Sequence, residues 1–578
     1  MKNLKRFRAI YGFIDFFILF FLIFDFGFIV NEVYKPYKMI GLLGLFALLL
    51  GFNISKYFLF KSKPVYRKTI LVNMLLLLAV LAGVVVLFFI HIDLSFKEIF
   101  QKAKPLLNGG LFAYFIIRMM VFVRHIYSRY TNPTILFVGS FASIALIGAF
   151  LLMLPKATVS GISFVDALFT ATSAVCVTGL IVLDTANDFT FLGQTIILIL
   201  FQLGGIGILT FTSFFSFFFK GSTSFREELY VKDFTSSELQ DALKMGMRIV
   251  VFTLSLEAMG AVYIFFTAEN IPVDDRLFFS IFHAVSAFCN AGFSTMSSGL
   301  GDSMLRFDYA FQWGIIILII LGGLGYNIVF NYFTYAKEFF KKQFVEHKAF
   351  RPTRIITLNT KIVIYTTAIL LLFSTVFLLF SERSHTLSEH LTLFGKFTTS
   401  VFNAVTPRTA GFNTIDFSQM AMPSLLFVIL LMWIGASPGS TGGGIKTTTF
   451  AIATLNVFSI ARGKNHIELG TREVSSGTVN RAFAIVVVSL ITIGAAILLL
   501  LFFEPGARLV DVVFECFSAY STVGLSLGLT PNLSVESRYV IIVVMFVGRI
   551  GTLNLLFGMM RRIQTKFYKY PQENIFIN

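Results

Sequence analysis

Of 578 residues, 56% are apolar and only 13% charged, which excludes a soluble protein with a polar shell and leaves a multi-span helical membrane protein. Aromatic residues make up 16%, with 72 phenylalanines, as lipid-facing and interfacial surfaces require. The net charge of +16 is scattered at the ends of apolar runs, so it speaks for cytoplasmic anchoring and against a nucleic-acid partner.

The chain opens with apolar runs near 9–31, 39–60, 69–91 and 106–127, four expected spans in a unit covering 1–130, the last weakened by Arg118. The first run follows a basic start but is too long for a secretory signal and lacks a small-residue cleavage site, so it reads as a retained span. Basic clusters at Lys2/Lys5/Arg6/Arg8, Lys61/Lys63/Arg67/Lys68 and Arg124/Arg129 alternate with less basic loops. The positive-inside bias therefore puts the N-terminus in the cytoplasm.

One stretch is then written four times. The copies are VDALFTATSAVCVTGL, IFHAVSAFCNAGF, SVFNAVTPRTAGF and VFECFSAYSTVGL, ending around Gly179, Gly292, Gly411 and Gly524 at spacings of about 113, 119 and 113 residues. Three copies carry Ser-Ala at one offset before the glycine, at Ser173, Ser286 and Ser518; the third departs with Thr406-Pro407-Arg408 and is one residue shorter. Each glycine taken singly could sit in an ordinary turn. Four in matching context argue for four pore loops about a shared axis, with carbonyls replacing a cation's hydration shell and glycine supplying the backbone angles.

Each repeat reads as outer helix, pore loop, inner helix: 131–220, 221–336, 337–465 and 466–578. Outer helices are expected near 134–154, 246–267, 360–380 and 482–503, and inner helices near 192–219, 311–336, 422–460 and 538–560. Every inner helix runs into basic residues, from Lys220 and Arg226 to Arg561, Arg562 and Lys566, so all four end in the cytoplasm and the loops face outside. The hydrophilic segments 221–245 and 337–358 are the expected docking surfaces.

The inner helices share a second signature: LGGIG from Leu203, LGGLG from Leu321, IGASPG from Ile434 and VGRIG from Val547. With no preceding strand and no acidic partner these are not dinucleotide fingerprints; helix packing or bending is their expected use. Aligned, they put Gly205, Gly323, Ala436 and Arg549 at one position. An arginine in an apolar helix faces a water-filled path or a partner, and Glu257 is the one evident acid for it. The third inner helix alone is broken, by SPGSTGGGIKTTT from Ser437 to Thr449, which is not a Walker A because Ile445 intervenes before Lys446. A flexible plug beneath the loops is the reading, with a passive bend as the alternative.

These motifs, TSAVCVTGL, AVTPRTAGFNT, GASPGSTGGGIKTTT and MFVGRIG, resemble the Trk/Ktr/HKT potassium-transporter superfamily, specifically its bacterial membrane (TrkH/KtrB-like) subunit, over about residues 131–565. The resemblance implies an all-α polytopic membrane protein with four tandem helix/pore-loop/helix repeats around a pseudo-fourfold axis, plus extra N-terminal helices. It implies a selectivity filter binding K+ through backbone carbonyls of Val175, Cys176, Val177, Thr178 and Gly179; Cys289, Asn290, Ala291 and Gly292; Arg408, Thr409, Ala410 and Gly411; and Ser521, Thr522, Val523 and Gly524. It also implies a gate of Gly439, Ser440, Thr441, Gly442, Gly443, Gly444 and Lys446 with Arg549 projecting into the path.

In this superfamily a serine at the first filter glycine goes with sodium; glycine at all four positions resembles the potassium-selective members. Such subunits are similar to homodimers in the plasma (inner) membrane that bind a cytosolic nucleotide-binding regulatory subunit (TrkA/KtrA-like). The chain has no nucleotide fold and no cofactor of its own is expected, with K+ as transported ion and membrane lipid as surroundings. The first 130 residues exceed the pair of extra helices in Trk-type members. The expected function is potassium uptake, with an ion-coupled transporter of a small solute as the alternative. An enzyme is not expected, because the seven histidines and three cysteines (Cys176, Cys289, Cys516) show no metal-ligand spacing.

Overall fold

The computed structural model describes residues 20–28, 35–59, 64–90, 96–127, 133–207, 242–271, 275–341 and 356–551, except 22, 26, 465, 470 and 471. The N-terminal basic cluster, most of the first apolar run, residues 221–241 and 342–355 of the expected docking segments and the basic tail after 551 lie outside the described residues.

Three helices, Lys35–Leu59, Pro64–Ile90 and Phe96–Tyr127, pack on one another ahead of the repeated part. The third begins ten residues before its apolar run, because its first turns are polar and one of them is used: Asn108 Nδ2 donates to the buried Asp25 carboxylate at 2.6 Å, and Lys104 lies 3.5 Å from the same group. Two charges and an amide so paired can be held among apolar helices, where a lone carboxylate could not.

Four units follow, each made of a long outer helix, a short helix and an inner helix. The outer helices are Pro133–Leu152, Ala242–Thr267, Leu358–Ser381 and Ser476–Phe503. The short helices are Phe164–Val175, Arg276–Cys289, Leu393–Val405 and Leu509–Tyr520. At 12–14 residues the short helices cannot cross a bilayer that needs about 20. Ser163, Asp275 and Thr392 start three of them by accepting a backbone N–H three residues on, at Asp166, Phe278 and Gly395. Four helices in the described residues are long and apolar enough to cross a membrane, and a fifth if the bent pair described next is one span.

The second inner helix corrects the expectation of a continuous span, and the first and fourth also end early, the rest of their expected ranges, 208–219 and 552–560, lying outside the described residues. The first stops at Ile206, the second at Leu324 and the fourth at Ile550, each followed by the last glycine of its signature at positive φ: Gly207 at 78°, Gly325 at 78° and Gly551 at 85°. Glycine alone adopts such an angle cheaply, so the final position of GGxG is a stop. After Gly325 the chain resumes as Tyr326–Phe340, bent by 97° from the preceding helix. The third inner helix is split into Met422–Trp433 and Thr447–Ala461.

The signature's first glycine serves packing instead. A Cβ on Gly204 would overlap the Val175 carbonyl, one on Gly322 the Phe288 carbonyl and one on Gly548 the Tyr520 carbonyl, so each inner helix touches the end of its own unit's short helix. Gly435 departs, meeting Gly443 of the glycine-rich loop.

The units close into a ring. The first inner helix packs on the second short helix, the second inner on the third short, the first half of the third inner on the fourth short, and the fourth inner back on the first short. That last junction is clasped by an ion pair between Arg538 and Asp166, whose side chains are only 19% and 16% exposed. Asp166→Asn leaves the guanidinium with a neutral partner in a half-dry site; a loss of about 1–3 kcal/mol is expected. A fall in the thermal midpoint of the purified protein, larger than that from substituting an exposed acid such as Glu468, checks it.

A two-stranded hairpin, Ile467–Leu469 with Arg472–Val474, was not anticipated. It seats Ile467 against Ile452 and Ala482 at the foot of the third unit.

Candidate functional site: a ring of four glycine loops

Each short helix runs into a loop of one geometry. The residue two before the glycine lies in the left-handed region, Val177 at φ 55°, Asn290 at 60°, Thr409 at 73° and Thr522 at 50°, and these are the four non-glycine residues of positive φ among those described. The glycines stand at 89°, 71°, 77° and 93°. A side-chain-bearing residue held there costs about 1–3 kcal/mol, so four at one loop position mark a conformation imposed by the surroundings.

The serine or threonine before each glycine does the holding, through both its carbonyl and its hydroxyl. Thr178 N donates to Ser173 O at 2.7 Å, Ala291 N to Ser286 O at 2.7 Å and Val523 N to Ser518 O at 2.9 Å. Ser173 Oγ accepts from Gly179 N and Ser518 Oγ from Gly524 N, both at 3.1 Å, while Ser286 Oγ donates to Phe293 O at 2.8 Å. In the shortened third copy Thr406 takes this place, with its Oγ1 donating to Phe412 O at 2.6 Å and its carbonyl accepting from Ala410 N at 2.9 Å. The Ser-Ala string is thus a loop anchor, and the divergent copy keeps the hydroxyl.

The four loops meet. A Cβ on Gly179 would strike Ala291 O, one on Gly292 Ala410 O, one on Gly411 Val523 O and one on Gly524 Thr178 O, which returns to the first loop. Every glycine therefore abuts the carbonyl that precedes the next glycine, in one closed cycle. Of the expected site residues, Thr178, Gly179, Ala291, Gly292, Ala410, Gly411, Val523 and Gly524 form this ring. Val175 ends its helix with its carbonyl on Gly204, Cys176 packs in an apolar cluster with Val512 and Ala519, and Cys289 turns its thiol to Gln202 and Glu257. Arg408 turns its side chain to Gly435. All three cysteines are free and buried.

Beneath the ring lies the glycine-rich loop. Its ends are pinned, Gly435 N donating to Ile445 O at 2.9 Å and Thr447 N to Ala436 O at 3.2 Å. Its middle touches the end of the second short helix and the third and fourth loops: Thr441 Oγ1 donates to Phe288 O at 3.3 Å, Gly442 has no room for a Cβ beside the Thr409 hydroxyl, and Gly443 none beside Thr522 and Ser521. It also caps the broken second inner helix. Ser437 N donates to Gly323 O at 3.0 Å, Thr441 N to Gly322 O at 3.3 Å and the Ser437 hydroxyl to Leu324 O, supplying donors to the last carbonyls of the helix. Lys446 Nζ folds back to Gly442 O at 2.7 Å.

Arg549 completes the arrangement. Its guanidinium donates to Thr441 O and, at 2.7 Å, to Gly204 O, so one side chain ties the loop to the first inner helix. The alternative pairing with Glu257 is not what the structure holds: Glu257 accepts from Gln202 Nε2 at 2.9 Å and faces Cys289. Two carbonyls facing the broken helix end and the loop offered acceptors that no sequence pattern displays.

The four loops thus form one closed ring within a bundle of apolar helices. The TrkH family, described as cation transport protein, matches residues 106–569, and the chain belongs to it. Among its relatives, the Ktr system potassium uptake protein B of Vibrio alginolyticus is 37% identical over 75% of this chain and 93% of its own length. Its namesake in Bacillus subtilis (strain 168) is 36% identical over 78% and 97%. The potassium/sodium uptake protein NtpJ of Enterococcus hirae is 35% identical over 77% and 97%. The crystal structure of the potassium transporter TrkH from Vibrio parahaemolyticus has the same fold, with a TM-score of 0.60 over 85% of this chain and 97% of that one at 18% identity. The chain is thus a membrane protein of the Trk/Ktr potassium-uptake family.

Proposed function

We propose that the chain conducts potassium inward across the plasma membrane, that the ring around Gly179, Gly292, Gly411 and Gly524 is its selectivity filter, and that the Ser437–Lys446 loop with Arg549 is its gate. The observation behind the filter is the closed cycle of glycine against carbonyl: backbone oxygens from four loops stand in one ring, and rings of carbonyls replace the water around a potassium ion. Potassium is the cargo, held by backbone oxygens in each loop, with Thr178, Ala291, Ala410 and Val523 contributing the carbonyls nearest the glycines.

Support for the gate is positional. The loop lies against the end of the second short helix and the third and fourth filter loops from one side, so an ion leaving the ring meets Thr441, Gly442 and Gly443. Its bonds to other inner helices are donated to carbonyls at the end of the second and accepted, at Thr441 O, from Arg549 of the fourth, and breaking them lets it exist in a second arrangement. The "Ktr system" naming of two relatives favours a membrane subunit working with a further component; that this component is a cytosolic, nucleotide-binding regulator, that the chain is a homodimer and, from the positive-inside bias, that its N-terminus is cytoplasmic are parts of the same proposal. Expression of the full chain in a bacterium lacking its own potassium uptake is expected to restore growth on low-potassium medium. Failure of a well-expressed, membrane-inserted chain, alone and with a co-expressed regulator, would reject the reading.

A further inference from the structure

The third loop differs from the others in bearing a cation. Arg408 is 9% exposed, its Nη2 reaches Gly435 O only at 3.5 Å, and its Nε has no partner. No carboxylate among the described residues pairs with it. A buried guanidinium left so costs several kcal/mol unless something charged answers it.

Arg408 lines a small cavity of about 20 Å³ between the second inner and third outer helices. Thr367 of the outer helix lines it too; it is 8% exposed and its hydroxyl also has no partner. Two turns on, Ser374 and Thr375 donate to Leu370 O and Leu371 O at 2.6 and 2.8 Å, the usual refuge of a helical hydroxyl. Thr367 forgoes that bond. The remaining wall is hydrocarbon, from Ile319, Ile320, Leu371 and Val405.

We propose that this cavity binds a small monovalent anion, chloride, between the Arg408 guanidinium and the Thr367 hydroxyl. Water could satisfy both groups as donors, but it cannot answer the charge, and the low dielectric of a membrane interior makes the charge the larger cost. A doubly charged oxyanion would exceed the one cation present, and it needs more donors than one fork and one hydroxyl. Lipid headgroups stay at the bilayer surface rather than beside a loop at membrane depth. On the proposed function, the anion neutralises a fixed positive charge next to the third filter loop, where it would otherwise repel the permeating cation.

The test is the thermal midpoint of the purified full chain as sodium chloride replaces sodium gluconate at constant ionic strength. A saturable rise is expected for the unaltered protein. Thr367→Val, close in shape but without the hydroxyl, should raise the half-saturating chloride concentration about tenfold, the equivalent of one hydrogen bond to an ion. Arg408→Gln should abolish the rise; if that variant does not fold, Thr367→Val decides alone. A midpoint indifferent to chloride, or a half-saturation unchanged in Thr367→Val, overturns the proposal. Neither outcome depends on ion flux, so it stands or falls apart from the filter reading.

Discussion

Gly179→Ser is expected to lower potassium flux about tenfold or more and to relax the preference for potassium over sodium. Two costs coincide at this residue. Its φ of 89° is one that side-chain-bearing residues reach only at about 1–3 kcal/mol. Its new Cβ would also overlap Ala291 O, a carbonyl of the next loop, and displace the oxygen itself. The disturbance is thus passed to the second loop rather than absorbed in the first. Rubidium uptake into proteoliposomes against potassium and sodium competitors measures both effects. Because Gly292, Gly411 and Gly524 meet the same kind of neighbour, serine at each should act in the same direction. A change confined to one position would mean that the four loops do not act as one ring.

Arg549→Ala is expected to raise flux and leave the order of ion preference alone. The side chain makes two hydrogen bonds from a charged donor, to Thr441 O in the loop and Gly204 O in the first inner helix. Such bonds are worth about 1.5–3 kcal/mol each. If they hold the loop only when it is closed, losing about 3 kcal/mol shifts the balance toward the open form by about 100-fold. Arg549→Lys should give a smaller rise, since an ammonium can reach one carbonyl but does not reproduce the planar fork. Uptake rates of the three proteins at equal membrane amounts settle it, and equal rates would leave Arg549 a structural tie.

Much of this was legible in the sequence because repetition amplifies weak signals. No single glycine identifies a loop, but four with matched leads do, and the composition placed them in a membrane. The left-handed residues were not legible: Val177, Asn290, Thr409 and Thr522 have no side-chain chemistry common to all four, and only asparagine favours that angle. Their conformation comes from the serine and threonine anchors and the neighbouring loops, which are tertiary contacts. The breaks after Ile206, Leu324 and Ile550 were written in the final glycine of each signature, yet apolar residues continue past them and the hydropathy pattern hides the stop. The two partners of Arg549, Thr441 O and Gly204 O, were hidden for a related reason. A sequence displays carboxylates as partners but not carbonyls freed by a helix end.

The central claim is that four loops make one potassium site. A crystal structure of the full chain grown with thallium or rubidium in place of potassium, read by anomalous scattering, tests it most directly. The expected result is ion density on the ring axis, within coordination reach of carbonyls from all four loops, including those of Thr178, Ala291, Ala410 and Val523. Density elsewhere along the chain with none at the ring, in a protein that still transports the same ion, would contradict it.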